Sequence, residues 1–151
     1  MEAMEPEARA ELQKLEPLVG QWNVEATAPW LPAGGPRGHT IFQWGPGEAF
    51  LVQRWEVPVE AAPDGVAILA VDDESGDLVQ HYFDSRGVVR RYATSVEDGV
   101  WSLRKLTSGF AQRFLGELSA DGNTIKGVWE KVEDGSSTWE RDFDLIYRRV
   151  G

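Results

Sequence analysis

From Gly20 onward the chain alternates apolar and polar residues with a period of two, and glycine-bearing turns interrupt that alternation at short intervals. Trp22, Val24 and Ala26 alternate with Gln21, Asn23, Glu25 and Thr27. Thr40, Phe42 and Trp44 alternate with His39, Ile41 and Gln43. The same pattern predicts strands over 50–57, 66–71, 78–83, 88–94, 100–106, 111–118, 124–132 and 138–149. Between them stand Gly45-Pro46-Gly47, Asp64-Gly65, Ser75-Gly76, Arg86-Gly87, Asp98-Gly99, Asp121-Gly122 and Asp134-Gly135. Asp-Gly suits a two-residue hairpin because both central residues of that turn need positive φ. A meander of about ten strands closes on itself, since closure removes the exposed edges. The expected fold is therefore all-β: a closed antiparallel meander barrel, as one domain over residues 1–151.

One helix precedes the strands, over about 6–16, with Pro6 in its first turn and Pro17 as its stop. Leu12 and Leu15 share one face, and Glu7, Arg9, Glu11 and Lys14 take the other. A stripe that narrow plugs the end of something and does not form a core alone.

Composition narrows the interior and the partners. Seven tryptophans in 151 residues supply large apolar surfaces, each with an indole N–H that wants a partner. A barrel with a wide interior can use them. There is no cysteine, which excludes disulfides, thiolate metal sites and cysteine nucleophiles. The net charge of −10 argues against nucleic acid and anionic membranes as partners. The acidic start, Met1 to Ala10, does not read as a signal peptide, and no apolar run suggests membrane insertion. A cytoplasmic, bacterial-type protein is expected, and a homodimer is compatible with these features. Residues 28–38 carry Pro29, Trp30, Pro32, Gly34, Gly35 and Pro36, which cannot join a ladder. They read either as a lid over the barrel mouth or as a surface crossover.

The run Leu18-Val19-Gly20-Gln21-Trp22, between the helix and the first strand, resembles the Gly-x-Trp signature of the calycins. That group includes lipocalins, fatty-acid-binding proteins and haem-binding nitrobindins, and the resemblance implies a barrel whose narrow end the tryptophan closes. Phe50–Arg54, His81–Arg90, Gln112-Arg113-Phe114 and Trp139–Phe143 resemble a family of small actinobacterial lipocalin-like proteins without an assigned activity. The nitrobindin pattern includes a haem-ligating histidine near the C-terminus, and here no histidine follows His81. Haem is therefore not expected, and neither is any other cofactor.

Alternation also assigns faces. Trp22 is expected inside. Leu51, Gln53, Trp55 and Val57 form the more apolar face of their strand, which turns Gln53 inward. In the strand over 78–83, Val79, His81 and Phe83 are taken as inward, although Gln80 and Tyr82 compete closely. Arg90 shares a face with Val88 and Tyr92, and Gln112 with Phe114. Trp139, Arg141, Phe143, Leu145 and Tyr147 share a face of the last strand, opposite Glu140, Asp142 and Asp144, and a one-residue bulge would invert such an assignment.

The leading reading is a binding module for a small apolar or amphipathic molecule, with Trp22, Trp44, Gln53, Trp55, His81, Tyr92, Trp101, Phe143 and Tyr147 as candidate lining. His81 is the polar group best suited to orient a ligand or act as a base, the alternative being a histidine satisfied in the wall. His39 is a weaker candidate, and the two histidines make no zinc spacing. Arg90, Arg91 and Arg113 are candidate anchors for an acidic ligand, the alternative being cross-strand ion pairs outside the barrel. The second reading is an enzyme for isomerisation or cyclisation using His81, Arg90 and Tyr92. The third is a scaffold that meets a protein partner through the loop around Trp30.

Overall fold

The computed structural model describes residues 4–29, 37–59, 62–106, 110–133 and 136–150. The helix α1 (Pro6–Gln13) and a 3-10 turn (Glu16–Leu18) lead into β1 (Gly20–Thr27) and β2 (Arg37–Trp44). The remaining strands are β3 (Leu51–Glu56), β4 (Gly65–Val71), β5 (Leu78–Asp84), β6 (Val89–Glu97) and β7 (Val100–Lys105). They continue with β8 (Ala111–Leu118), β9 (Thr124–Val132) and β10 (Glu140–Arg149). Each strand pairs antiparallel with its sequence neighbours, and β10 pairs with β1, so the ten strands form a closed barrel. This is the meander expected from the alternation.

The helix ends earlier than its apolar spacing predicts. Pro17 lies inside the 3-10 turn, not beyond the helix, and Leu15 donates its backbone N–H to the carbonyl of Leu12. The tighter turn still aligns Leu12, Leu15 and Leu18, all fully buried. They pack with Trp22, Phe42, Leu51, Leu69 and Ile125 at one end of the barrel.

That end is also clamped by Arg149. Its guanidinium lies 4.1 Å from the Trp22 ring centre and donates to the carbonyls of Val19 (2.6 Å), Pro17 (2.9 Å) and Gly122 (3.1 Å). One side chain thereby joins the segment after α1, the β8–β9 hairpin and the last strand. The Trp22 indole N–H is satisfied by the Leu18 carbonyl at 2.9 Å. The plugged end carries the β2–β3, β4–β5, β6–β7 and β8–β9 connections, and the strand ends joined by the other five connections lie at the opposite end.

Two glycine positions show how the turn chemistry divides. Asp98 and Gly99 have φ of 52° and 75°, as the hairpin type of an Asp-Gly pair requires. Gly65, also from an Asp-Gly pair, instead opens β4 in ordinary extended conformation. Glycine is needed there because a Cβ would run into the Trp55 ring and the Phe83 carbonyl. Asp134-Gly135 lies outside the described residues. Among the described residues no helix is long and apolar enough to cross a membrane.

Candidate functional site

The barrel interior is not filled. Above the plugged end lies a cavity of about 610 Å³ that opens between the unplugged strand ends. That volume sits within the roughly 300–1,000 Å³ usual for small-molecule sites. Its walls come from the inward residues of nine strands, every strand but β4.

Aromatic rings form a continuous path from mouth to floor. Trp55 stacks on Tyr82 at 5.4 Å, and Tyr82 meets Tyr92 edge-on at 6.2 Å. Tyr92 meets Trp129 at 5.7 Å, and Trp129 meets Phe114 at 5.2 Å. Phe114 then meets Trp101 at 4.9 Å, and Trp101 meets Tyr147 at 5.8 Å. The facing pair Gly116–Gly127 makes room for the Phe114 ring, since a Cβ on Gly127 would strike it. Such offset and edge-on pairs stabilise the wall beyond their buried area.

Several polar groups of the interior are paired within the wall. Gln53 donates to the Thr40 hydroxyl at 3.3 Å, and that hydroxyl donates to the Arg54 carbonyl at 3.1 Å. Tyr92 donates to Gln112 Oε1 at 2.8 Å, and the Trp55 indole donates to the Pro63 carbonyl at 3.0 Å. Two buried atoms on lining residues, Gln80 Oε1 and Trp101 Nε1, have no partner among the described residues. Leaving a buried donor or acceptor unpaired is costly, and native interiors do it seldom.

Charges gather at the mouth. Tyr82 donates to Asp84 Oδ2 at 2.6 Å, and Arg86 binds the same carboxylate at 2.7 Å. Burial alone would raise the Asp84 carboxyl, but the Arg86 guanidinium, the Tyr82 hydroxyl and the Arg86 backbone N–H hold it well below the usual carboxylate range. Tyr82 is shifted upward, first by burial and then by that carboxylate. Burial likewise raises Tyr147 and Tyr92, with the Arg90 guanidinium opposing it at Tyr92. All three phenols thus stay protonated at neutral pH. Lys131 pairs with Glu133 at 2.9 Å and approaches Asp142 at 3.8 Å.

Of the residues expected to line an interior site, Gln53, Trp55, Tyr92, Trp101, Phe143 and Tyr147 border the cavity. Trp22 and Trp44 do not. Both take part in the packing of the plugged end, where the Trp44 indole donates to Glu16 Oε2 at 2.9 Å. His81 is a correction. It stands on the outer wall between Ile68 and Arg91, and its neighbours Gln80 and Tyr82 point inward. The strand is apolar on both faces, with Val79 buried on the same side as His81, so alternation alone does not separate them. The proposed acid–base group of His81, Arg90 and Tyr92 is therefore not assembled. His39 sits at the rim with its ring 3.3 Å from Asn23 Oδ1.

The last strand brings a second correction. A bulge between Arg141 and Phe143 shifts the register. Arg141 pairs with Glu130 outside, while Asp142 turns toward the cavity. Among the candidate arginines, Arg113 binds Glu130 at 2.9 Å and stacks on Trp139 at 3.9 Å outside the barrel. Arg91 is exposed on the outer wall, and Arg90 lines the cavity. Trp30 lies outside the described residues. Sequence reasoning missed Tyr82, Trp129, Gln80 and Lys131. Tyr82 and Gln80 lie on the face of β5 opposite His81, and Trp129 shares the inward face of β9 with Ile125 and Lys131.

These residues do not fit a haem. The wall offers no imidazole except His39 at the rim, and the lining phenols are held protonated. Among the described residues no group of His, Asp and Glu could hold a metal ion.

No protein-family model matches the chain, and no curated protein matches it. Among solved structures it resembles the crystal structure of Rv2717c from M. tuberculosis, with a TM-score of 0.64 and 15% sequence identity. The likeness covers 99% of this chain and 100% of that one. At that identity the likeness shows the barrel fold.

Proposed function

We propose that this protein is a calycin-like carrier or receptor that holds one small, mostly apolar molecule inside its barrel. The observation that carries this reading is the aromatic-walled cavity of about 610 Å³ with a single plugged end. A protein that needed only a scaffold would gain stability by filling that space, because unfilled apolar volume costs packing energy. The unpaired Gln80 Oε1 and Trp101 Nε1 support it further, since a polar atom of a bound molecule would satisfy either. Trp22 closing the narrow end is the position that the calycin resemblance implies.

The test uses a neutral fluorescent probe, N-phenyl-1-naphthylamine, and a variant that fills the cavity. Leu145 lines the open space, so Leu145→Trp places an indole in it. The wild type should bind the probe saturably at one-to-one stoichiometry, and the variant should lose at least about tenfold in affinity, roughly 1.4 kcal/mol. Absence of saturable binding, or equal binding by both proteins, would remove the interior as the site.

A further inference from the structure

Three buried polar atoms without partners stand on one stretch of the barrel wall. Among the described residues, four buried side-chain atoms have no hydrogen-bond partner. One of them, Asp144 Oδ1, faces Arg141 at 3.5 Å on the outside. The other three, Gln80 Oε1, Thr94 Oγ1 and Trp101 Nε1, belong to the neighbouring strands β5, β6 and β7. Their residues are 4%, 7% and 1% exposed.

The register places the three in a row. Gln80 is paired with Tyr92, and Thr94 follows Tyr92 by two residues on the same inward face. Thr94 is paired with Leu103, and Trp101 precedes Leu103 by two residues, again on the inward face. Each step is one diagonal of an antiparallel ladder, a spacing that long side chains span. Gln80 and Trp101 border the cavity, and Thr94 stands between them. Elsewhere in the interior polar side chains answer one another, as Gln53 does with Thr40 and Tyr92 with Gln112. The row instead offers an amide carbonyl, a hydroxyl that both gives and takes, and an indole N–H. Leaving such atoms unpaired is costly. Leucine at position 80 and valine at position 94 would fill similar space without that cost, so packing alone does not account for the row.

Resting on the reading of the barrel as a binding module, we propose that its ligand is uncharged and enters polar end first, seating a hydroxyl group among Gln80, Thr94 and Trp101 with its apolar body directed toward the mouth. A hydroxyl answers the row in both senses. Its oxygen accepts from the Trp101 N–H, and its proton goes to the Gln80 carbonyl or the Thr94 oxygen. A charged group does not suit that place. The rings around Trp101 are Phe42, Phe114 and Tyr147, and burial holds the Tyr147 phenol protonated. A carboxylate or ammonium there would lose its hydration without gaining an ionic partner. The reverse orientation leaves all three atoms unpaired. It also puts the hydroxyl beside charges that already pair with one another, Asp84 with Arg86 and Lys131 with Glu133.

The test compares 2-naphthol, naphthalene and 2-naphthoate at neutral pH, by titration calorimetry and by the Trp101 indole N–H resonance. The wild type should bind 2-naphthol about tenfold tighter than naphthalene, the size of one buried hydrogen bond, and 2-naphthoate most weakly. The Trp101 N–H proton should move downfield with 2-naphthol and not with naphthalene, as a new hydrogen bond requires. Gln80→Leu combined with Thr94→Val should cut the preference for 2-naphthol to about threefold or less. The same variant should not lower the urea midpoint, because neither removed oxygen has a partner to lose. A lowered midpoint with an unchanged preference would assign the row to the fold instead. Naphthalene binding as tightly as 2-naphthol in the wild type would overturn the hydroxyl anchor and leave the apolar site standing, and tightest binding of 2-naphthoate would overturn the uncharged ligand. No binding of any of the three would overturn both readings. The wild-type comparison and the Trp101 resonance decide the matter even if the double variant does not fold.

Discussion

At the scale of single residues, Asp84 shows how the mouth is held in shape. Its side chain is fully buried, and it binds Tyr82, Arg86 and the backbone of the β5–β6 turn. Because its folded pKa is depressed, the stabilisation is present above the unfolded carboxylate pKa of about 4 and disappears as pH falls through the lower folded value. Asp84→Asn should therefore cost about 1.5–3 kcal/mol near neutral pH, the size of a hydrogen bond to a charged group. The difference from wild type should shrink as the pH drops below about 4. Urea denaturation at several pH values measures it. A loss that stays constant down to strongly acidic pH would assign the effect to packing instead of charge.

At the scale of elements, α1 is a plug. Leu12 is its fully buried residue, and Leu15 and Leu18 continue the same row beyond it. Leu12→Ala should lower stability by about 2–5 kcal/mol, the usual cost of truncating a fully buried leucine. It should leave 1-dodecanol affinity within about twofold, because the helix lines no part of the cavity. A lost ligand affinity with unchanged stability would mean that the helix belongs to the site.

Elements were also the level at which the sequence was most legible. Alternation located all ten strands, and glycine turns separated them, because a half-buried strand leaves a period-two signature. Face assignment worked where one face was clearly more apolar, as in β3, and placed Gln53 and Trp55 correctly. It fails in β5, where both faces carry apolar residues and His81 stands on the outer wall. It failed again at the β10 bulge, which no local composition announces. Depth was beyond it. Trp22 and Trp44 do point inward, but alternation cannot say that they pack the plug instead of the cavity wall. Arg90 is legible as a residue sharing a face with Tyr92, but its place in the cavity wall depends on contacts between distant strands.

At the scale of the whole molecule, the barrel divides into a packed end and an open end, and the tryptophans report on both. Trp55, Trp101 and Trp129 border the cavity. Trp22 and Trp44 belong to the plugged end, and Trp139 stacks on Arg113 outside. Each indole N–H gives its own resonance in a nitrogen–proton correlation spectrum, so a single titration distinguishes where a ligand goes. With 1-dodecanol added to the wild type, the indole signals of Trp55, Trp101 and Trp129 should shift saturably, with the largest change at the unpaired Trp101 N–H. Those of Trp22, Trp44 and Trp139 should move little. Shifts confined to Trp22, Trp44 or Trp139, or no shift at any indole, would contradict the claim that this barrel holds its ligand inside.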